Sequence, residues 1–176
     1  MFQMKIAVIF SSLTGNTKKV VYEILKDMPK DTKIYDLKEL NHEIEEKFLV
    51  LGYWVDRAKP NKEMLEFMNN LEGKIIAAFG TLGANPNSEH GDITKNNVSE
   101  ILEKNNILLG NFLCQGKIDP KITEMFKKMG ANGPHVITEE RLKRHEEALK
   151  HPNEEDFKAA RDFIKTALDK YSKGEY

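Results

Sequence analysis

Ser11-Ser12-Leu13-Thr14-Gly15-Asn16-Thr17 is the stretch whose residue types can do chemistry most directly. Small hydroxyl side chains crowd a turn with a glycine in it, and an apolar run precedes the turn while a helical pattern follows it. Successive backbone N–H groups at such a turn form a concave nest, and a helix N-terminus adds positive potential. Hydroxyls from Ser and Thr add further donors, so the turn suits a phosphate monoester held without a lysine. It is neither G-x-x-x-x-G-K-[ST] nor G-x-G-x-x-G. An ordinary Ser/Thr-rich helix cap is the alternative. A second candidate is Tyr53-Trp54, which holds the only tryptophan of the chain, just beyond another apolar run. A large aromatic at a strand end exposes much apolar area unless something flat covers it. The third is Gly80 to Asp92, where Gly80 and Gly83 would let backbone approach a ligand closely.

These segments need elements to carry them. Ile6–Phe10, Phe48–Leu51, Ile75–Phe79 and Ile107–Cys114 are short apolar runs, the last interrupted by Gly110 and Asn111, with a weaker one at Lys33–Leu37. Continuous rather than alternating runs are expected of strands buried on both faces of a parallel sheet. Between and after them, helical spacing predicts helices over Thr17–Met28, Lys62–Leu71, Asn97–Lys104 and Asp119–Met129, the last stopped by Gly130. Two more are expected at Glu139–Lys150 and after Pro152-Asn153, the final one with Phe157, Ala160, Phe163, Ile164, Ala167 and Leu168 on its inner face. Strand and helix alternate, so the fold class is α/β, a three-layer doubly wound sheet of five parallel strands. The expected organisation is one domain over residues 1–176, with the sheet core in 1–130 and a helical extension in 131–176 packed on it.

With 176 residues the chain is long enough for one sizeable core. Lys plus Arg number 27 against 28 Asp plus Glu, a formal charge of −1, which speaks against a nucleic-acid or anionic-membrane partner. One cysteine, Cys114, excludes an internal disulfide, and at the end of an apolar run it reads as a small buried hydrophobe rather than a nucleophile. The histidines show no metal-ligand spacing, and no metal is expected; His90 reads as a surface residue. Neither a signal peptide nor a membrane span is visible, so a cytoplasmic location is expected.

Ser12-Leu13-Thr14-Gly15-Asn16-Thr17 resembles the phosphate loop of the flavodoxin family, [ST]-x-T-G-x-T. Cys114-Gln115-Gly116-Lys117-Ile118 and the Asn153-Glu-Glu-Asp-Phe helix start are similar to a subset of short flavodoxin-like proteins that accompany bilirubin reductases. The resemblance implies strand order 2-1-3-4-5 and FMN as cofactor. It implies Ser12, Leu13, Thr14, Gly15, Asn16 and Thr17 around the phosphate. Tyr53, Trp54 and Val55 would lie along the ring, with either Tyr53 or Trp54 stacking on it. Thr81, Leu82, Gly83, Ala84 and Asn85 would face the pyrimidine edge. Many flavodoxins carry a tyrosine in this last loop; here there is none, so the outer ring face is expected to be open or covered by Pro86 or His90. The implied function is electron transfer to a redox partner protein. Direct reduction of a small organic substrate or use of NAD(P)H, including a role beside a tetrapyrrole reductase, is the second reading. A flavin-free partner-binding domain is a third. A response-regulator receiver, which shares the topology, would need acidic residues where this chain has Ser11-Ser12 and Gly52-Tyr53.

Overall fold

The apolar runs become strands of a parallel sheet, those at Ile6–Phe10, Phe48–Leu51 and Ile75–Phe79 at its centre. The structure, a computed structural model, describes residues 4–129 and 138–176. Its strands are β1 (Ile6–Phe10), β2 (Lys33–Asp36), β3 (Phe48–Asp56), β4 (Lys59–Pro60), β5 (Ile75–Leu82) and β6 (Ile107–Gln115). The sheet order is β2-β1-β3-β5-β6, with two-residue β4 paired to β3 alone. All pairs along that path are parallel. Counting only these five long strands, this is the expected 2-1-3-4-5 order.

Side chains alternate across the sheet, and each face is covered by helices. Ile6, Val8, Phe48, Val50 and Phe79 share one core with Val20, Val21 and Ile24 of α1 (Asn16–Leu25) and with Ala160, Ile164 and Ala167. Those three belong to α6 (Glu154–Lys173), and the expected inner face of that helix is the observed one. Ala7, Ile9, Leu49, Leu51, Ile76 and Ala78 face the other core, with Met64 and Met68 of α2 (Lys62–Asn70) and Val98 and Leu102 of α3 (Glu89–Glu103). The C-terminal helix is thus part of the core layer beside α1, where Arg161 pairs with Glu23 at 2.7 Å. Asn153 and Asp156 close its start as a reciprocal capping box. The remaining helices are α4 (Pro120–Lys128) and α5 (Glu139–Ala148). The expected stop at Gly130, and the loop that follows as far as residue 137, lie outside the described residues.

Three boundaries differ from expectation, each for a physical reason. β3 runs on to Asp56 because Gly52 and Tyr53 pair with Phe79 and Gly80 of β5, so Gly52 is a strand residue under a ring, not a break. Segment 89–96 is helix rather than loop. Ser88 caps α3 by accepting from the Gly91 N–H, and Gly91 is a glycine because its Cβ would lie 2.1 Å from the Pro86 carbonyl oxygen. Residues 53–60 form a hairpin rather than a loop, Val55 pairing with Pro60 and Asp56 with Lys59.

The hairpin turns on Arg57 and Ala58, both left-handed at φ 50° and 60°. Two-residue turns of this hand favour Asn-Gly, and a side-chain Cβ costs about 1 kcal/mol or more there. Asn97 of α3 steadies the turn by donating to the Ala58 carbonyl at 2.8 Å. Arg57→Asn with Ala58→Gly should therefore stabilise the protein by about 1 kcal/mol. A urea melt showing equal or lower stability would contradict this backbone strain.

Candidate functional site

In an open α/β sheet, a ligand sits beyond the carboxyl ends of the strands where connections depart in opposite directions. Here a cleft of about 190 Å³ lies there, walled by Leu13, Thr14, Asn16 and Thr17 after β1, Trp54 and Val55 of β3, and Thr81, Leu82 and Gly83 around the end of β5. All three expected segments therefore meet at one place.

The β1–α1 turn is built as an anion nest. Gly15 precedes α1 in the left-handed region, φ 95°, with open space where a Cβ would be. The N-cap is Gly15, so no N-cap side chain takes up the leading N–H groups of α1, and its first turn carries no acid. The leading N–H groups of the helix thus point into the cleft end without a built-in anion. Ser12 Oγ accepts from the Lys18 N–H at 3.3 Å and folds the turn onto the helix. Thr14 is exposed at the cleft. Thr17 is buried, and its hydroxyl lies 3.0 Å from that of Thr81. One proton serves that bond, leaving the other hydroxyl proton of the pair for a ligand.

Asn16 lines the cleft and also carries a structural bond. Its side-chain amide donates to the Lys117 carbonyl at 2.9 Å and so clamps the β6–α4 segment to the start of α1. Gly116 makes room, since a Cβ there would come within 2.7 Å of that amide nitrogen.

The aromatic pair divides between the two faces of the sheet. Tyr53 is fully buried among the α2 and α3 side chains, and its hydroxyl donates to Asn111 Oδ1 at 3.0 Å. Burial pushes its phenol well above the ordinary tyrosine range. Tyr53 is thus corrected from a stacking candidate to a core residue: adjacent strand residues point to opposite faces, and only Trp54 reaches the cleft. Asn61 fixes the backbone of Trp54. Its side-chain oxygen accepts from the Trp54 N–H at 3.3 Å, and its own N–H donates to the Trp54 carbonyl at 2.9 Å. Its amide also donates to Ser11 Oγ at 2.8 Å, joining the exits of β1 and β3. A third contact, to Glu63 at 3.0 Å, helps hold that carboxyl below its usual range. Asn61 was not legible as a site residue, because an asparagine before a helix reads as a cap.

Ala84 and Asn85 lie off the cleft wall, and so do Pro86 and His90. This stretch is occupied with itself: Asn85 Oδ1 accepts from the Asn87 N–H and the Ser88 hydroxyl donates to the Asn85 carbonyl. The expected cover from Pro86 or His90 is therefore not the one the cleft has. Lys117, Ile118, Asp119 and Ile122 complete the wall instead. Cys114 is buried and its thiol is pushed far up by desolvation, which leaves it inert as a nucleophile.

Among known families, the flavodoxin domain matches residues 7–165. The chain belongs to the flavodoxin domain family. Among its relatives is the flavodoxin-like domain-containing protein BilS of Clostridioides difficile (strain CD3), 35% identical over 180 residues, the match covering 96% of this chain and 99% of that one. A BilS protein of Clostridium symbiosum (strain WAL-14163) is 25% identical over 191 residues, covering 98% of this chain and 100% of that one. Oxidised flavodoxin 1 of Bacillus cereus shares the fold at a TM-score of 0.59 and 16% identity, over 94% of this chain and 97% of its own. This flavodoxin domain sets its cleft at the carboxyl edge of the sheet between the ends of β1, β3 and β5. Among the described residues, no helix is long and apolar enough to cross a membrane.

Proposed function

We propose that this flavodoxin domain binds FMN in the cleft and passes electrons to a redox partner protein in the cytoplasm, acting as one domain over residues 1–176. The observation that supports this most is the acid-free start of α1, with glycine at its N-cap, facing a cleft whose other end is walled by the half-buried ring of Trp54. FMN supplies the redox chemistry, taking up and releasing electrons through its ring system. The protein binds and orients it. Backbone N–H groups around Gly15 to Thr17, with the Thr14 hydroxyl and the spare proton of the Thr17–Thr81 pair, hold the phosphate. Trp54 offers its face to the ring, and backbone of Thr81 to Gly83 lies beside it.

FMN is not given a strongly negative setting. Lys117 and Asp119 are the charged residues on the cleft wall, one of each sign. With a net charge of −1, the whole chain lacks the acidic surface of a general shuttle that steers to basic partners. This favours a dedicated partner.

Purified protein should be yellow, or its flavin-free form should take up FMN with one-to-one stoichiometry. Thr14→Val should weaken FMN about tenfold, the size of a lost hydrogen bond to a charged group, and leave riboflavin, which lacks the phosphate, unaffected. No uptake of FMN would reject the reading; equal loss for both flavins would reject the phosphate assignment. The second reading, direct reduction of an organic substrate, draws on the absence of an aromatic from segment 80–92. Oxidation of NADPH by the holoprotein alone would favour it, whereas a carrier needs an added reductase.

A further inference from the structure

The segment that completes the cleft is held there by four separate devices. The Gly116 N–H donates to the Leu82 carbonyl at 2.8 Å. The Gln115 amide donates to the Gly83 carbonyl at 3.1 Å. The Asn16 amide donates to the Lys117 carbonyl at 2.9 Å. Ile118 lies directly on the backbone of Gly83, where a Cβ would come within 2.6 Å of its Cγ1. Strand order decides what this does. β3 and β6 flank β5 on opposite sides. Trp54 pairs with Thr81 on one flank of β5, and Gly116 follows β6 on the other. Trp54 and Ile118 therefore wall the cleft from its two sides, and Ile122, in the first turn of α4, extends the second wall.

We propose that Ile118 and Ile122 cover the ring face opposite Trp54, an aliphatic wall standing where the segment after β5 offers no aromatic. This rests on the reading of the cleft as an FMN site. Both side chains are already partly exposed and line the cleft without any ligand. A flat apolar ring between Trp54 and these branched side chains would bury them, and gain dispersion contact without stacking on that face. The wall also makes Gly83 and Gly116 packing requirements: the first seats Ile118, the second lets Asn16 hold the segment.

The test titrates the flavin-free protein with FMN and with riboflavin. Ile118→Ala and Ile122→Ala should each weaken both flavins by the same factor, about five- to tenfold, with the flavin-free thermal transition unchanged because neither residue belongs to the core. Gly83→Ala should act in the same direction by pushing Ile118 off its seat. Loss for FMN but not riboflavin would overturn the wall and place the segment at the phosphate. Unchanged affinity for both flavins, with wild-type protein binding FMN, would overturn the wall and leave the cofactor reading standing. Wild-type protein that binds no FMN would overturn the cofactor reading itself, and the wall with it.

Discussion

Trp54→Ala is expected to weaken FMN by about 2–3 kcal/mol, some 30- to 150-fold, and riboflavin by the same factor. The size follows from where the side chain stands. Trp54 is the aromatic side chain among those lining the cleft, and its backbone is gripped on both sides by Asn61. Its removal deletes the stacking face and opens the cleft to water, while the phosphate end at α1 is untouched. Trp54→Phe should recover most of the loss, because a smaller flat face remains. Half-buried and outside both cores, Trp54 can be truncated without a matching loss of fold stability. A flavin fluorescence titration reads the result directly, and an unchanged dissociation constant would remove Trp54 from the site.

Gly80→Ala is expected to destabilise the fold by about 3 kcal/mol, at the upper end of what a single inserted methyl costs a packed core. A Cβ at Gly80 would lie 2.3 Å from Tyr53 Cε2 and 2.9 Å from Leu113 Cδ2. Neither neighbour yields easily. Tyr53 is fully buried, and its hydroxyl is tied to Asn111 at 3.0 Å. Set beside a whole-fold stability of about 5–15 kcal/mol, the loss should lower the melting temperature by about 6–12 °C. The next residue pair in the register repeats the device on the opposite face, where the Phe79 ring covers Gly52 and a Cβ would meet Cζ at 2.5 Å. Thermal denaturation of Gly80→Ala is the check. Combined with Tyr53→Leu, the loss should be smaller than the sum of the two singles, since the second change vacates the space the methyl needs. Wild-type stability in the single variant would show that the ring shifts freely and does not lock β3 to β5.

The β1–α1 turn was readable because its geometry is local: strand, turn and helix start are contiguous in one stretch of sequence. The runs of the central strands β1 and β5 were readable for the same reason, being buried on both faces. Tyr53 was not. Its choice against Trp54 depends on β3 continuing past Gly52, and that depends on a ring from β5 lying over the glycine. Within one strand a glycine beyond an apolar run looks like an end. The clamp made by Asn16 was hidden in the same way, since its partner is a carbonyl a hundred and one residues away.

By itself, then, the sequence determined the alternation of strands and helices, the parallel sheet, and the β1–α1 turn and the β3 aromatic pair as segments that come to the cleft, because propensity, burial pattern and turn chemistry act over a few neighbouring residues. Tertiary structure alone decided which aromatic faces the cleft, that Asn61 holds it, and that the segment from Lys117 to Ile122 rather than the stretch after β5 closes the far side. Those outcomes come from pairing register and from glycines beneath side chains of distant strands. The lone tryptophan and the single cysteine show the difference. Trp54, Thr81 and Cys114 share one register row and so one face of the sheet, yet the first stands at the cleft and the last in the core.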